Sequence, residues 1–458
     1  MKSILLINTP KMNYCSTKNN SKTELDIDNS YPIGLLSISS YIKHDNRFKV
    51  DYLDANFYHM DYNTILKKIK AFNPEYIALN MTFPNMHIVN ELNKKIRNEN
   101  PKRKIILGGP AATLIPEYLL KNSEVDYIVK GEGEETVLDL LNHLESKQDI
   151  STVKGIAYKT SGNKIITTES RKPLHMDHLP SIDVDNIPEE IKKYSKEVSL
   201  VTSRGCDSCC SFCSTPKIWG IGKKYLRSYS IDHIFKELEN YEKKGFKFES
   251  VHFLDDNFTN DWDRVEEFMD KWNKTYKKKG KTWRCISKIK SINNQKRIDK
   301  MIDSGLTHIS VGVESANPKI LKSIGKGLKV KEVNKFQRLC KDRPIKIKGF
   351  FMIGFPNESE KDIIKTINYI EKSQFNSIGI NIVMAYPGTR LYEQIYGKDK
   401  IFLPEYGDID FSKIKTEEVQ SIMKKYSSAP KTSLSKHVSI ERLYELKELA
   451  YERFLKNR

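Results

Sequence analysis

The sequence predicts an α/β protein: a Rossmann-like doubly wound parallel sheet, then an incomplete (β/α)6 barrel, then a small helical C-terminal region. Three observations lead there. Short apolar runs alternate with amphipathic stretches through residues 1–145, six further strand–helix repeats fill 196–395, and residues 396–458 lack strand periodicity. Buried strands alternating with helices mark parallel sheets, whose ligands bind at the carboxyl ends of the strands.

In residues 1–145, strands are expected at Ser3–Ile7, Lys49–Leu53, Tyr76–Leu79, Lys104–Leu107 and Tyr127–Val129. Helices are expected at about Gly34–Lys43, Tyr62–Phe72, Asn85–Asn98 and Glu134–Glu145. The turns at the strand ends are Asn8-Thr9-Pro10, Asn80-Met81-Thr82-Phe83-Pro84, Gly108-Gly109-Pro110-Ala111 and Gly131-Glu132-Gly133-Glu134. Glycines there let a backbone approach a bulky flat ligand, although Gly-Gly after a strand also serves as a plain turn. No G-x-G-x-x-G follows the first strand, so a dinucleotide site is unsupported.

Residues 146–195 read as a linker, with a hairpin (Lys154–Tyr158, Lys164–Thr168) and an extended run carrying Pro173, Pro180 and Pro188. The second domain, 196–395, has strand-like runs at Val198–Thr202, Ser250–Leu254, Trp283–Ile286, His308–Val313, Ile345–Ile353 and Ser377–Met384. Helix-like stretches at Asp232–Lys243, Trp262–Lys274, Gln295–Asp303, Pro318–Ser323, Val333–Arg343 and Glu360–Lys372 separate them. This is barrel patterning, with the site at the carboxyl ends. In the tail, helices are expected near Thr416–Lys425 and at Ile440–Phe454.

With 38% hydrophobic and 30% charged residues, the 458-residue chain reads as a soluble, cytoplasmic protein of about two to four domains. No apolar run approaches the ~20 residues that span a bilayer, and Met1–Asn8 is too short for a signal peptide. The net charge of +18 comes from lysines spread over many helices, with no basic stripe interleaved with aromatics. That describes a solvated surface better than a nucleic-acid footprint, and leaves an anionic substrate open.

The chemistry concentrates in Ser203-Arg204-Gly205-Cys206-Asp207-Ser208-Cys209-Cys210-Ser211-Phe212-Cys213. Thiolates of Cys206, Cys210 and Cys213 at C-x3-C-x2-C spacing can take three corners of a cubic iron–sulfur cluster and leave one iron open to a chelating molecule. The alternative division into two C-x2-C pairs suggests zinc, but structural zinc sites usually separate such pairs by a dozen or more residues. A disulfide framework does not suit a long chain with 7 cysteines and no secretory signal. Cys285 and Cys340 read as packed thiols, while Cys15 and Cys209 have no assigned role.

The cysteine loop, with Phe212 before its last cysteine, resembles the cluster loop of the radical S-adenosylmethionine (SAM) superfamily. Ahead of it, Tyr31-Pro32-Ile33-Gly34-Leu35, Gly108-Gly109-Pro110 and Val125–Glu134 resemble, in that order, the cobalamin-binding domain of the cobalamin-dependent radical SAM enzymes. Further elements fit the same family: Asp255-Asp256-Asn257-Phe258, Gly312-Val313-Glu314-Ser315, Gly349–Pro356 and Pro387–Tyr392.

The resemblance implies a [4Fe-4S] cluster on Cys206, Cys210 and Cys213, with no catalytic residue assigned beyond it. It implies SAM at Phe212, Asp255, Asp256, Lys288, Glu314, Ser315 and Ile353. Lys288 stands where the family more often has Arg, which loses the bidentate fork. Cobalamin is implied at Thr9, Pro10, Tyr31, Gly34, Leu35, Thr82, Phe83, Asn85, Gly108, Gly109, Pro110, Ala111, Glu132, Gly133 and Glu134. No D-x-H-x-x-G is present, so a histidine lower ligand to cobalt is not expected.

By this resemblance the protein is an enzyme that methylates an unactivated carbon of a small metabolite or peptide, through methylcobalamin and a 5′-deoxyadenosyl radical, with an external one-electron reductant. The alternatives are another radical SAM reaction on the same scaffold (rearrangement, cyclisation, ring contraction or dehydration), with or without cobalamin, and a zinc-stabilised RNA-binding protein. A tRNA methylthiotransferase is disfavoured, because only Cys15 precedes residue 206 where that family uses three cysteines. In multidomain radical enzymes a helical tail caps the barrel mouth, which is one expectation for 396–458; plain packing is the other.

Overall fold

The computed structural model describes residues 1–10, 31–397, 430 and 432–458. Cys15 and the helix expected near Thr416–Lys425 lie outside them. The described chain divides into two compact units, one of residues 1–194 with 236–246, the other of 195–235, 247–397 and the described residues from 430 onward.

In the first unit β1 (Ser3–Asn8) is buried along its whole length and pairs with β2 (Lys49–Asp54) and β3 (Tyr76–Asn80). A parallel strand covered on both faces needs the continuous apolar run that Ile4–Ile7 provides. The chain alternates these strands with α1 (Ile33–Asp45), α2 (Tyr62–Phe72) and α3 (Met86–Glu99), then adds β4 (Lys104–Gly108), α4 (Pro110–Leu114), α5 (Pro116–Asn122), β5 (Tyr127–Val129) and α6 (Glu134–Ser146). Helix α2 shows how the sequence sets its limits. The Asp61 carboxylate accepts the Thr64 N–H, Ile65 and Ile69 are buried, and left-handed Asn73 ends the helix.

The parallel order β2-β1-β3-β4-β5 puts the switch point between β1 and β3, where such sheets bind ligands. Helices α4 and α5 were not expected from the sequence: they are five and seven residues long, too short to show a 3.6-residue period, and each opens on proline.

One expectation needs correction. The hairpin assigned to a linker forms β6 (Ile156–Lys159), antiparallel to β5, and β7 (Ile165–Thr167), antiparallel to β6, and extends the first sheet to seven strands. Ile156, Ala157 and Tyr158 bury there, covering an edge that three-residue β5 would otherwise leave bare. The run after it is also docked: Asp183 accepts the Ser39 hydroxyl at 2.6 Å and pairs with Lys43 at 2.6 Å.

The second unit opens, after α7 (Glu189–Tyr194), with β8 (Glu197–Leu200) and a two-residue ribbon, β9 (Ser203–Arg204) with β10 (Arg227–Ser228), on either side of α8 (Thr215–Trp219). Then come α9 (Ile231–Lys243), whose residues from 236 onward belong to the first unit, β11 (Ser250–Phe253), α10 (Trp262–Thr275), β12 (Thr282–Ser287), α11 (Ile289–Ile292) and α12 (Gln295–Asp303). The rest is β13 (Leu306–Glu314), α13 (Pro318–Ser323), α14 (Val330–Cys340), β14 (Lys346–Ile353), α15 (Glu360–Glu371), β15 (Ser377–Ile382) and α16 (Arg390–Tyr396).

Six parallel strands in the order β15-β14-β13-β12-β11-β8 make the partial barrel. Their side chains alternate: in β12, Trp283, Cys285 and Ser287 are buried while Thr282, Arg284 and Ile286 are partly exposed on the opposite face. Fully buried Phe253 stacks on Phe258 at 4.6 Å and meets Phe268 edge-on at 5.1 Å. Truncating one such ring to alanine costs about 3–5 kcal/mol.

The C-terminal helix (Ile440–Lys456) buries Leu443, Leu446, Ala450 and Phe454. It packs on α15 and the edge strand β15, where Tyr451 Oη accepts the Ile380 N–H at 3.1 Å. This helix covers the flank of the last strand, and the segment before it bonds the loop after β14, where Lys436 N–H donates to Pro356 O at 3.0 Å and Ser435 Oγ to Glu358 O at 2.8 Å.

Candidate active site

All six barrel strands end on one edge of the sheet, and the loops there gather the polar residues that the sequence singles out. The cysteine loop leaves β8 through Thr202 and Ser203. Asp255, fully buried after β11, accepts the Thr202 N–H at 2.6 Å, the Thr202 hydroxyl at 2.7 Å and the Ser203 hydroxyl at 2.6 Å. Both of its oxygens are thus spent on the loop entry.

The far half of the loop is stitched down as firmly. Ser211 N–H donates to Ile324 O and Leu391 N–H to Ser211 O, both at 2.8 Å, and the Arg390 guanidinium donates to Cys209 O. Phe212 packs its ring 6.2 Å from that of Phe355 and rests on a cluster containing Leu391 and Tyr392. Lys288 reaches back from the end of β12 to the Asp207 carboxylate. Asp256 accepts the Thr215 hydroxyl at 3.4 Å and adds to the negative field on Cys213.

The three thiols influence one another electrostatically. Burial pushes Cys210 up to about 11; Lys326 pulls the other way, while Glu314, Cys213 and Cys206 add to the rise. Burial raises Cys213 as well, opposed by hydrogen bonds from Thr215. Cys210 and Cys213 as bare thiols thus resist ionisation, so binding a cationic metal group there must displace protons. Among the described residues, no three His, Cys, Asp or Glu side chains gather closely enough to hold one metal ion. A closed zinc site needs that convergence. A cubane instead spreads its thiolates over separate irons, which suits three cysteines on one pinned loop.

Glu314 ends β13 in the left-handed region (φ 67°), a strain of about 1–3 kcal/mol. Its Oε1 accepts from Lys326 Nζ at 2.7 Å. Burial pulls the Lys326 ammonium down, but Glu314 and then Cys210 more than offset it and hold it above the usual lysine range. Ser315, fully buried, accepts the Asn317 N–H at 3.0 Å and lies 3.2 Å from the Thr366 hydroxyl, as a turn-forming residue does. Ile353 is buried at the end of β14. Beyond it, fully buried Glu358 accepts the N–H groups of Gly354 (2.7 Å) and Phe355 (3.1 Å), while its Oε1 has no partner among the described residues.

The structure therefore brings Cys206, Cys210, Cys213, Phe212, Asp256, Lys288 and Glu314 to one edge, and gives Asp255, Ser315 and Ile353 protein partners or packing beneath it. Lys326, Arg390 and Glu358 were not singled out from the sequence. A lysine bracketed by Gly325 and Gly327 was the available signal for the first; the other two carry none beyond their neighbouring motifs.

In the first unit the expected cobalamin residues lie at the carboxyl ends of β1, β3, β4 and β5 and at the start of α1. Thr9 donates its N–H to Asn80 Oδ1 at 3.0 Å and its hydroxyl to Asn80 O at 2.8 Å, while Asn85 donates to Thr9 Oγ1 at 2.8 Å. Thr82 N–H donates to Asn85 Oδ1 at 2.7 Å in the turn that carries Phe83. Glu134 accepts the Ser37 hydroxyl at 2.8 Å, and Tyr31 donates to Tyr241 Oη at 2.8 Å. These side chains thus hold the rim together. Gly109 packs under it: a Cβ there would lie 2.7 Å from Met81 O. By contrast, a Cβ on Gly34, Gly108 or Gly131 would meet nothing within 4 Å among the described residues. The rim carries bare glycine backbone, which fits a large flat ligand held by burial.

Comparison with known proteins agrees with both surfaces. The sequence matches the radical SAM superfamily over residues 200–370 and the B12 binding domain over 28–141. It is 27% identical to an uncharacterized methyltransferase, PH0819, of Pyrococcus horikoshii, over 92% of this chain and 87% of that protein. It is 26% identical to cytidylyl-2-hydroxyethylphosphonate methyltransferase of Streptomyces wedmorensis, over 74% of this chain and 69% of that one. The radical SAM methyltransferase TsrM of Kitasatospora setae has the same fold, with a TM-score of 0.69 at 16% identity, covering 86% of this chain and 75% of that one.

Fold and cysteine loop define a radical SAM enzyme. With a B12-binding domain ahead of it, the chain belongs to the cobalamin-dependent radical SAM enzymes, whose cofactors are a [4Fe-4S] cluster, SAM and cobalamin. Such enzymes act on small molecules and draw on a reductant. Among the described residues, no helix is long and apolar enough to cross a membrane.

Proposed function

We propose that this enzyme is a C-methyltransferase acting on an unactivated carbon of a small metabolite or peptide, in the cytoplasm, with nucleic acid excluded as substrate. When bound, cobalamin supplies a stored methyl group, and SAM at the cluster supplies the means to open a carbon–hydrogen bond. The observation that carries the reading is the pinned three-thiol loop at the barrel edge, in a chain that also has a glycine-bare B12-binding rim.

In this reading Cys206, Cys210 and Cys213 hold three irons. Asp255 keeps the loop entry in place, and Phe212 wedges the last cysteine against Phe355. Asp256, Lys288 and Glu314 face SAM, with Ser315 and Ile353 shaping the floor beneath it. Cys209 is no ligand; its carbonyl anchors Arg390. Residues 1–145 bind cobalamin through the turns 8–10, 82–85, 108–111 and 131–134 with the start of α1, and supply no histidine in the D-x-H-x-x-G register. Residues 196–395 carry SAM chemistry.

The test uses SAM labelled in its methyl group, with the reconstituted protein and a one-electron reductant. Label recovered on a carbon of the substrate supports the proposal. Substrate-dependent 5′-deoxyadenosine with no labelled methyl in any product would move the enzyme to a rearrangement or redox reaction.

A further inference from the structure

A buried ion pair is built into the cysteine loop's surroundings. Lys326 lies between α13 and α14, and the residues flanking it, Gly325 and Gly327, are both left-handed (φ 69° and 65°). The same segment is tied to the loop: Ile324 O accepts Ser211 N–H at 2.8 Å, and a Cβ on Gly325 would lie 3.5 Å from Cys209 O. Lys326 Nζ meets Glu314 Oε1 at 2.7 Å, with the two side chains only 15% and 9% exposed. Room for this contact depends on Gly312, where a Cβ would sit inside contact distance of Oε1 and 2.7 Å from Nζ.

Lys326 directly follows Gly325, whose backbone lies against Cys209, so the cation of the pair belongs to the segment that is tied to the cysteine loop. A lone buried ammonium would be costly; its carboxylate partner keeps it in place. In a low-dielectric site, a fixed cation favours uptake of an electron by a thiolate-ligated cluster and a fixed anion opposes it.

Resting on the reading of Cys206, Cys210 and Cys213 as cluster ligands, we propose that the Lys326–Glu314 pair sets the reduction potential of the cluster. Lys326 draws the potential up, Glu314 draws it down, and Gly312 allows the two charges to stand together. The electron itself comes from the external one-electron reductant, which is oxidised as the cluster is reduced.

The test is a redox titration of the reconstituted full-length protein without SAM or substrate, followed by paramagnetic resonance of the reduced cluster. Lys326→Met is expected to shift the midpoint to more negative values and Glu314→Gln to more positive ones, with the double variant between them. A tenfold change in the ratio of reduced to oxidised cluster corresponds to about 59 mV for one electron. Should Lys326→Met fail to hold iron, Glu314→Gln decides alone, since its amide oxygen can still accept from the ammonium. Shifts in the same direction, or unmoved midpoints in variants with full iron, overturn the proposal. Wild-type protein without iron and sulfide would overturn the ligand reading and this inference with it.

Discussion

The two ligand-facing edges of this protein use opposite chemistry. At the barrel edge, charged and ionisable side chains crowd together: three thiols, the Lys326–Glu314 pair, the Lys288–Asp207 pair and buried Glu358. One of them, Glu314, is held in a strained conformation. At the first sheet's edge the partners are amides, hydroxyls and glycine backbone, and the buried carboxylates Asp54 and Glu134 are turned to Asn8 and Ser37. A cluster must be gripped atom by atom through side-chain bonds. A large flat ligand needs only a surface of the right shape, with its own polar rim satisfied. Substitutions at the barrel edge should therefore act through charge and ligation, and at the first sheet's edge through shape.

The largest effect is expected from ligation. Reconstituted protein should carry about four iron and four sulfide per chain. Alanine at Cys206, Cys210 or Cys213 should abolish that content, while Cys209→Ala should keep it. Iron retained in Cys210→Ala but lost in Cys209→Ala would reassign the ligands.

Shape comes next. Gly109→Ala puts a Cβ 2.7 Å from backbone Met81 O at φ 99° and should destabilise the first unit by about 1–3 kcal/mol in denaturant unfolding. Gly108→Leu fills open space, so it should leave stability nearly unchanged and abolish cobalamin binding as read by absorption. Equal cobalamin binding in Gly108→Leu and wild type would move the ligand away from this rim.

How much of this was legible depended on the length of each signal. Long periodic stretches such as Tyr62–Phe72 and Gln295–Asp303 match the structure residue for residue, because capping and burial both lie in the local sequence. The hairpin at 156–167 was visible as a hairpin, but its pairing with β5 was not, since that depends on an edge far away in sequence. The three cysteines proposed as cluster ligands were legible as a candidate set because their spacing lies within one loop. Asp255 was legible as an acid at a strand end; that it spends itself on Thr202 and Ser203 is a tertiary fact. Lys326 escaped for the same reason, its partner lying across the turn after β13.

A pH effect sharpens the contrast further. Burial raises the Glu358 carboxyl to about 7 from an ordinary 4.5, against the pull of the Phe355 and Gly354 N–H groups. The folded protein then binds this proton more tightly than the unfolded chain. Its contribution to stability is fullest below about 4.5 and is lost as pH rises toward about 7, by a few kcal/mol at most. Glu358→Gln should flatten that part of the stability–pH curve, and an unchanged slope would show that another group is responsible.

The smallest expected effect is a spectroscopic absence. Cobalamin bound to the first sheet's edge, with its own base displaced, should show no nitrogen triplet on its reduced cobalt(II) lines, because no histidine stands in the D-x-H-x-x-G register. A triplet would contradict this and direct attention to His87, which follows the Thr82–Asn85 turn in α3.

The account's central claim, one chain that stores a methyl group on one edge and opens a carbon–hydrogen bond at the other, is tested most directly by counting products with the true substrate. Methylation by this route predicts S-adenosylhomocysteine and 5′-deoxyadenosine in equal amounts, each matching the methylated product. Substrate-dependent 5′-deoxyadenosine without S-adenosylhomocysteine or added methyl mass would contradict it.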